Sequence, residues 1–600
     1  MNSSSALQQQ MAADSGGAPK EMTIAPRPNV LLFLIDDMGY SDLAAYGSPN
    51  VSTPHIDGLI KSGVKFTSWI SGAPICTPSR AALQTGRYPI RTGCMGNTQA
   101  RRVIPTPSDP GGLDPTLHIS IAAALRQVGY DTGMSGKWHL GINSHNQDRK
   151  FTPVAHGYNS YLGSPWTNAP MCAMDADGYS HKFKVGPEFC FLFANDTVVE
   201  MPLALENFTS AMTTHATDFI ARQNASTPWF FFMSYFHVHS PLFTSKANQG
   251  RSKGGAFGDN IEELDDSVGA ILHSLEVNGH AGTTMVLLTS DNGPYQEEGW
   301  DRSGRVNLYA SSSPSDVMTP HGGSSDAMLM TPHGGGGARI GRLRGGKAQL
   351  YEGGIRMPGT IRWPGVTQPN TIAHQLVSTM DIFPTVLTAA NAMSTLPKGY
   401  VIDGKSLLPV LTQPDKAISA HTVLLLYCGF KPIAARVHDR YKLFWFTQKW
   451  YTYDPPDPTI CTDCCNGVVP AGKLYGVNAT DLCQCTEDAL NSHEEEPLVY
   501  DLFEDLMEQR PYNSTSWPKT AKYTYAEIVQ VASVERKRMM ADVHPKPGPG
   551  GAGKCTAGLP APSRQPCCPG CHKPLIGAEC VHDREESKVC TCSREMKEEV

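Results

Sequence analysis

The stretch NVLLFLIDD, residues 29–37, decides how the chain reads: an unbroken apolar run long enough for one buried strand ends abruptly in two carboxylates, Asp36 and Asp37. A run that is apolar on both faces belongs to a strand covered on both sides, the usual situation in a parallel sheet. Working outward, Thr132 to Ser135, Trp229 to Tyr235 and Met285 to Ser290 repeat the pattern, and segments with helical spacing, such as His118 to Val128, lie between them. This alternation predicts an α/β fold, a mostly parallel sheet flanked by helices. In such sheets ligands gather beyond the carboxyl ends of the strands, so the residues that follow each run are the candidate site.

Asp36 and Asp37 follow the first run, and Asp291 and Asn292 follow MVLLTS. Three carboxylates brought together repel one another unless a cation joins them, and oxygen-only ligation selects calcium or magnesium over zinc or copper. Either pair alone is more often a simple turn. The run CTPSR, residues 76–80, precedes AALQTGR; Pro78 fits a first helical turn, which sets Cys76 beside unpaired backbone N–H groups. The helix dipole adds only about 0.3–1 kcal/mol for an anion held there, so fixed cations must supply most of the affinity. For an arbitrary cysteine the plain reading, a small buried side chain, would win. Three further segments offer cations and imidazoles: GKWHLG with Lys137 and His139, HVHSP with His237 and His239, and GKAQLYEGG with Lys347. HxH suits a metal pair, but no third soft ligand stands near it.

Cys-x-Pro-x-Arg followed by AALQTGR resembles the sulfatase signature, and GKWHLG, HSP and GK...YEGG are similar to the family's further elements, in family order from Pro28 to about Leu502. IDGKSLLPVL and a late CCPGC resemble the branch of arylsulfatase A and N-acetylgalactosamine-6-sulfatase, and YLGSPWTNAPMC leans towards arylsulfatase A. The resemblance implies an alkaline phosphatase-like fold with a smaller C-terminal α+β domain carrying an antiparallel sheet. It implies that Cys76 is converted to formylglycine by a formylglycine-generating enzyme, and that calcium, with magnesium as the alternative, is held by Asp36, Asp37, Asp291, Asn292 and the converted Cys76. It further implies Arg80, Lys137, His139, His239 and Lys347 as catalytic residues, with Lys137, His239, Lys347 and Thr167 touching the sulfate. The substrate would be an aryl sulfate, sulfolipid or sulfated sugar, and a homodimer is compatible with the family.

Composition bounds the alternatives. Net charge is −7, with no Lys/Arg block to follow a phosphate backbone, which argues against a nucleic-acid partner. No apolar window reaches the length of a membrane span. Seventeen cysteines, an even sixteen once Cys76 is set aside, favour an oxidising compartment, lysosomal or extracellular. Sequons at Asn2, Asn50, Asn195, Asn207, Asn224, Asn478 and Asn513 agree with secretory passage, although residues 1–29 carry no signal-peptide core. Adjacent cysteines in a Pro/Gly-rich setting favour disulfides over zinc for Cys567, Cys568, Cys571 and Cys580.

Six hundred residues exceed one core. The texture divides them into a polar segment 1–27, a catalytic domain 28–425, a C-terminal subdomain 426–545 and a cysteine-rich tail 546–600. Within the catalytic domain, 296–341 reads as a flexible insertion that repeats MTPHGG. Rival readings are a phosphatase or phosphonate hydrolase of the alkaline phosphatase superfamily, and a non-catalytic glycoprotein in which Cys76 stays a thiol. A cysteine nucleophile position and oxygen-only ligands favour sulfate.

Overall fold

The computed structural model describes residues 27–95, 112–142, 149–167, 190–201, 203–239, 242–294, 343–448 and 490–542. The insertion 296–341 and the tail 546–600 lie outside the described residues, as does 1–26.

Strand β1 is Asn29–Ile35, followed in chain order by β2 Val64–Ile70, β3 Asp131–Gly136, β4 Ser160–Gly163, β5 Leu192–Ala194, β6 Thr197–Glu200, β7 Trp229–Ser234, β8 Thr284–Ser290, β9 Arg356–Arg362, β10 Thr371–Ala373 and β11 Val377–Ser378. They form one sheet in the order β10-β2-β9-β8-β1-β7-β3-β4-β5-β6, with β11 also on β2. β1 runs parallel to both neighbours, with Val30 opposite Phe230 on β7 and Met285 on β8. The reason for its unbroken apolar run is visible in the packing. Val30, Leu32 and Leu34 enter one core, with the helices Ile121–Gln127 and Ile382–Ala389, while Leu31, Phe33 and Ile35 enter the other, with Leu205–Ala221 and Gly255–Val277. Both faces are buried, so neither tolerates a polar residue.

The four apolar runs emerge as β1, β3, β7 and β8, parallel and adjacent. β2 and β9 carried no such signal, because VKFTSWI mixes polar and apolar residues and RMPGTIR holds a proline and two arginines. β9 is antiparallel to both β2 and β8, with Gly359 opposite Thr289. Its first residues therefore start at the carboxyl end of β8, and the loop before it, which holds Lys347, is delivered to the same sheet edge as Asp36 and Asp291.

A second sheet follows: β12 Val423–Cys428, β13 Lys431–Val437, β14 Tyr441–Phe444 and β17 Leu498–Asp501 are antiparallel, and β15 Phe446–Gln448 pairs with β16 Leu490–Ser492. The helix Tyr525–Asp542 buries Ile528, Ala532 and Met539 in the core under this sheet. No helix among the described residues is long and apolar enough to cross a membrane. Cys94, Cys190 and Cys428 are disulfide-bonded.

Candidate active site

The site is assembled from backbone before side chains. Past the end of β1, the Asp36 N–H donates to the His237 carbonyl at 2.8 Å, and the Asp291 N–H donates to the Ile35 carbonyl at 3.0 Å. The strand ends of β1, β7 and β8 are thereby tied together. Asp37 takes a left-handed φ of 60° and donates its N–H to Asp291 Oδ1 at 3.2 Å. Asp36, Asp37, Asp291 and Asn292 are all buried, at most 1% exposed.

These oxygens suit a cation. Asp36, Cys76 and Asp291 offer atoms within 4.8 Å of one another, as do Asp37, Cys76 and His239. Asn292 Nδ2 donates to Asp37 Oδ1 at 2.7 Å, which aims its own Oδ1 elsewhere; that oxygen is buried with no hydrogen-bond partner. A buried acceptor of this kind is costly unless something binds it. Hard oxygen donors with an orphaned amide oxygen fit a divalent cation such as calcium or magnesium.

Cys76 is the first residue of the helix Cys76–Thr85 and is 1% exposed. Its Sγ lies 3.7 Å from Asp36 Oδ1 and accepts from Lys137 Nζ at 3.6 Å. Burial first, opposed by Lys137 and Lys347, pushes the thiol up to about 12, so it is not a thiolate nucleophile. One helical turn on, Arg80 donates through Nε to Asp291 Oδ2 at 2.9 Å, holds Nη2 in an ion pair 2.9 Å from the same oxygen, and donates through Nη1 to the Lys137 carbonyl and to Ser234 Oγ. The hydroxyls of Ser71 and Ser79 both donate to the Asp291 carbonyl. Arg80 thus joins the cysteine helix to the ends of β3, β7 and β8. Burial, then the charge of Asp36, raises Asp291 to about 7, whereas Asp36 is held well below its usual range because Lys137, His239, Arg80 and Lys347 outweigh its burial. Packed carboxylates resist ionising together, as the sequence reading anticipated.

Lys137 Nζ also donates to Asp36 Oδ2, and Lys347 Nζ donates to Asp37 Oδ2 at 2.8 Å. The Lys347 loop is held by its N–H on the Pro294 carbonyl and by Ala348 N–H on that of Pro74. His239 Nε2 stands 3.6 Å from Asp37 Oδ2, with the side chain 14% exposed. Burial, then Lys347, lowers it to about 4. His139 has a φ of 58°, accepts from Thr77 Oγ1 through its carbonyl at 2.9 Å and donates its N–H to the Pro165 carbonyl at 3.1 Å. Thr167 lies two residues further along that segment, half-buried. His237 turns away: it contacts Thr209 Oγ1 at 3.2 Å and Glu263 Oε1 at 3.5 Å, and packs on Phe243.

The structure therefore brings Asp36, Asp37, Cys76, Arg80, Lys137, His239, Asp291, Asn292 and Lys347 to one centre, with His139 and Thr167 on the segment beside it. Sequence reasoning passed over Ser71, Ser79 and Ser234. Ser79 lies inside the CTPSR motif and could have been noticed; the other two carry no local signal.

The sulfatase family model matches residues 28–392, and a model of the C-terminal region of aryl-sulfatase matches residues 419–578. The chain is 32% identical to steryl-sulfatase of Homo sapiens, over 94% of this chain and 96% of that protein. It is 31% identical to arylsulfatase A of Bos taurus, over 81% and 83%. In fold it is similar to the sulfatase PsFucS1 from Pseudoalteromonas sp., with a TM-score of 0.64 at 23% identity, covering 86% of this chain and 91% of that one.

Proposed function

The chain belongs to the sulfatase family and hydrolyses sulfate esters, and on that premise we propose that the reaction is carried by Cys76 after its oxidation to formylglycine, beside one calcium ion. The observation that supports this most is the setting of Cys76: a buried side chain at a helix start, 3.6 Å from Lys137 Nζ and 3.7 Å from Asp36 Oδ1. A thiol held near pKa 12 has little use there, whereas an aldehyde hydrate supplies two hydroxyls, one to attack sulfur and one whose later deprotonation releases sulfate. The cation, held by Asp36, Asp37, Asp291 and Asn292, would supply positive charge to a hydroxyl and to the sulfate.

The remaining roles fall to the chain's own groups. Asp291, whose affinity for a proton is raised, takes the proton of the attacking hydroxyl, and Arg80 keeps that carboxylate in place. Lys137, just past β3, and Lys347, on the loop before β9, balance the charge on the sulfate oxygens. His239 protonates the departing alcohol. Its lowered proton affinity comes from burial and from the two lysines, and an anion bound between those lysines reverses the latter effect. His139 accepts the proton of the second hydroxyl, and Thr167 contacts the sulfate. Disulfide-bonded Cys94, Cys190 and Cys428 support maturation in the secretory pathway, where a formylglycine-generating enzyme would act.

Mass spectrometry of the peptide spanning Cys76 from secreted protein, with an aryl sulfate assay on the same sample, tests the reading. An aldehyde in the active fraction, and loss of turnover in Cys76→Ala, are expected. Full activity with an intact thiol would overturn it.

A further inference from the structure

The loop that carries Lys347 is gripped at both ends by one residue of the C-terminal sheet region. At the start of the loop, Arg344 Nη1 donates to the Glu508 carbonyl at 2.6 Å. At its end, the Glu352 N–H donates to Glu508 Oε2, also at 2.6 Å. Glu508 is fully buried, takes a left-handed φ of 53°, and places its other oxygen 2.8 Å from Lys442 Nζ on β14. Glu352 continues the network to Arg356 and to Arg436 on β13, each at 2.9 Å, and to Lys442 at 3.2 Å. Arg344 also lies 4.0 Å over the Tyr351 ring, which packs on Phe444 of β14.

Nothing of this network touches Cys76. Its reach into the site runs through the loop, where close glycine contacts leave no slack: a Cβ on Gly353 would stand 2.3 Å from the Gly345 carbonyl, and one on Gly354 2.1 Å from that of Gln349. A loop so tightly closed transmits a displacement of its ends to Lys347.

We infer that Glu508 is a positioning residue for catalysis, clamping both ends of the 344–352 loop so that the C-terminal sheet sets the placement of Lys347. The inference rests on the reading of Lys347 as a sulfate-binding lysine. It also gives the second sheet a part in the reaction: without it the loop loses its contacts at Arg344 and Glu352 and keeps only those of the Lys347 and Ala348 N–H groups on Pro294 and Pro74. A loss of order tenfold to a hundredfold is what small misplacements of a charge near the reacting group produce.

The test is a double-mutant cycle on kcat/KM with an aryl sulfate, using full-length secreted protein and Glu508→Gln, Glu508→Ala, Arg344→Gln and Lys347→Ala. Glu508→Ala is expected to lower kcat/KM about tenfold or more in the wild-type background and to have almost no effect in the Lys347→Ala background. Glu508→Gln keeps an acceptor for the Glu352 N–H and should retain more activity than Glu508→Ala. Equal losses in both backgrounds would overturn the inference while leaving the role of Lys347 standing. If Lys347→Ala itself leaves both kcat/KM and inhibition by inorganic sulfate unchanged, the reading of Lys347 fails instead. Failure of both Glu508→Gln and Arg344→Gln to fold would show the clamp to be a requirement of the fold alone, and would also overturn it.

Discussion

Acidification should loosen the protein through one buried ring that flanks the site. His156 is fully buried, its Nε2 donates to the Leu113 carbonyl at 2.9 Å, and its Nδ1 has no partner. Its ring packs 5.0 Å from that of Trp138, between Lys137 and His139. Burial lowers its pKa from the ordinary 6.5 to about 4. Between those values the unfolded chain binds a proton that the folded one refuses, so stability is intact above about pH 6.5 and falls as pH drops towards 4. At about 1.4 kcal/mol per pKa unit the full loss is about 3 kcal/mol, of which about 2 kcal/mol is reached by pH 5. His156→Gln can keep a donor for the Leu113 carbonyl but cannot titrate. Urea unfolding of both proteins at pH 7 and pH 5 reads the difference. His118, also lowered to about 4 by burial and then by Arg87, titrates in both proteins and cancels apart from the smaller part of its shift that comes from His156. The wild type is expected to lose about 2 kcal/mol more than the variant between the two pH values. Parallel losses would refute the reasoning.

Chelation of divalent cations should abolish aryl sulfate hydrolysis and lower the unfolding midpoint, because Asp36, Asp37 and Asp291 then keep only Lys137, Lys347 and Arg80 as counter-charges. Calcium restored to about a hundredfold over its Kd should return about 2.7 kcal/mol, measured by thermal unfolding at several calcium concentrations, and a midpoint indifferent to calcium would count against the site. Gly136→Ala should be damaging out of proportion to its size. Gly136 has a φ of 101° and a Cβ there would lie 1.8 Å from the Ser234 carbonyl, so β3 must part from β7 and carry Lys137 with it. A loss of about 3 kcal/mol together with reduced kcat/KM is expected, and a variant of wild-type stability and activity would show that the strands can yield.

How much was legible beforehand can be judged residue by residue. The four central strands were readable because burial on both faces forces an apolar run, and Asp36 and Asp291 were readable as candidates because a polar residue ending such a run must stand at the sheet's edge. CTPSR was readable because proline in a first helical turn is a local signal. β9 was not, since its partners β2 and β8 lie far away in sequence and its own residues alternate weakly. Ser71, which bridges to the Asp291 carbonyl, was equally silent, because a hydroxyl's partner is decided by what folds against it. The late cysteines and the insertion lie outside the described residues.

By itself, then, the order of residues determined the four central strands and the edge where the candidate groups gather, since periodicity and capping are properties of short segments. The tertiary structure alone decided that Asp37 and Asp291 face the same cysteine, that Arg80 ties three strands together, and that Glu508, past the last strand of the second sheet, meets both Arg344 and Glu352. Those are contacts between segments tens to about two hundred residues apart, and their geometry exists only after the chain has paid its conformational entropy and packed.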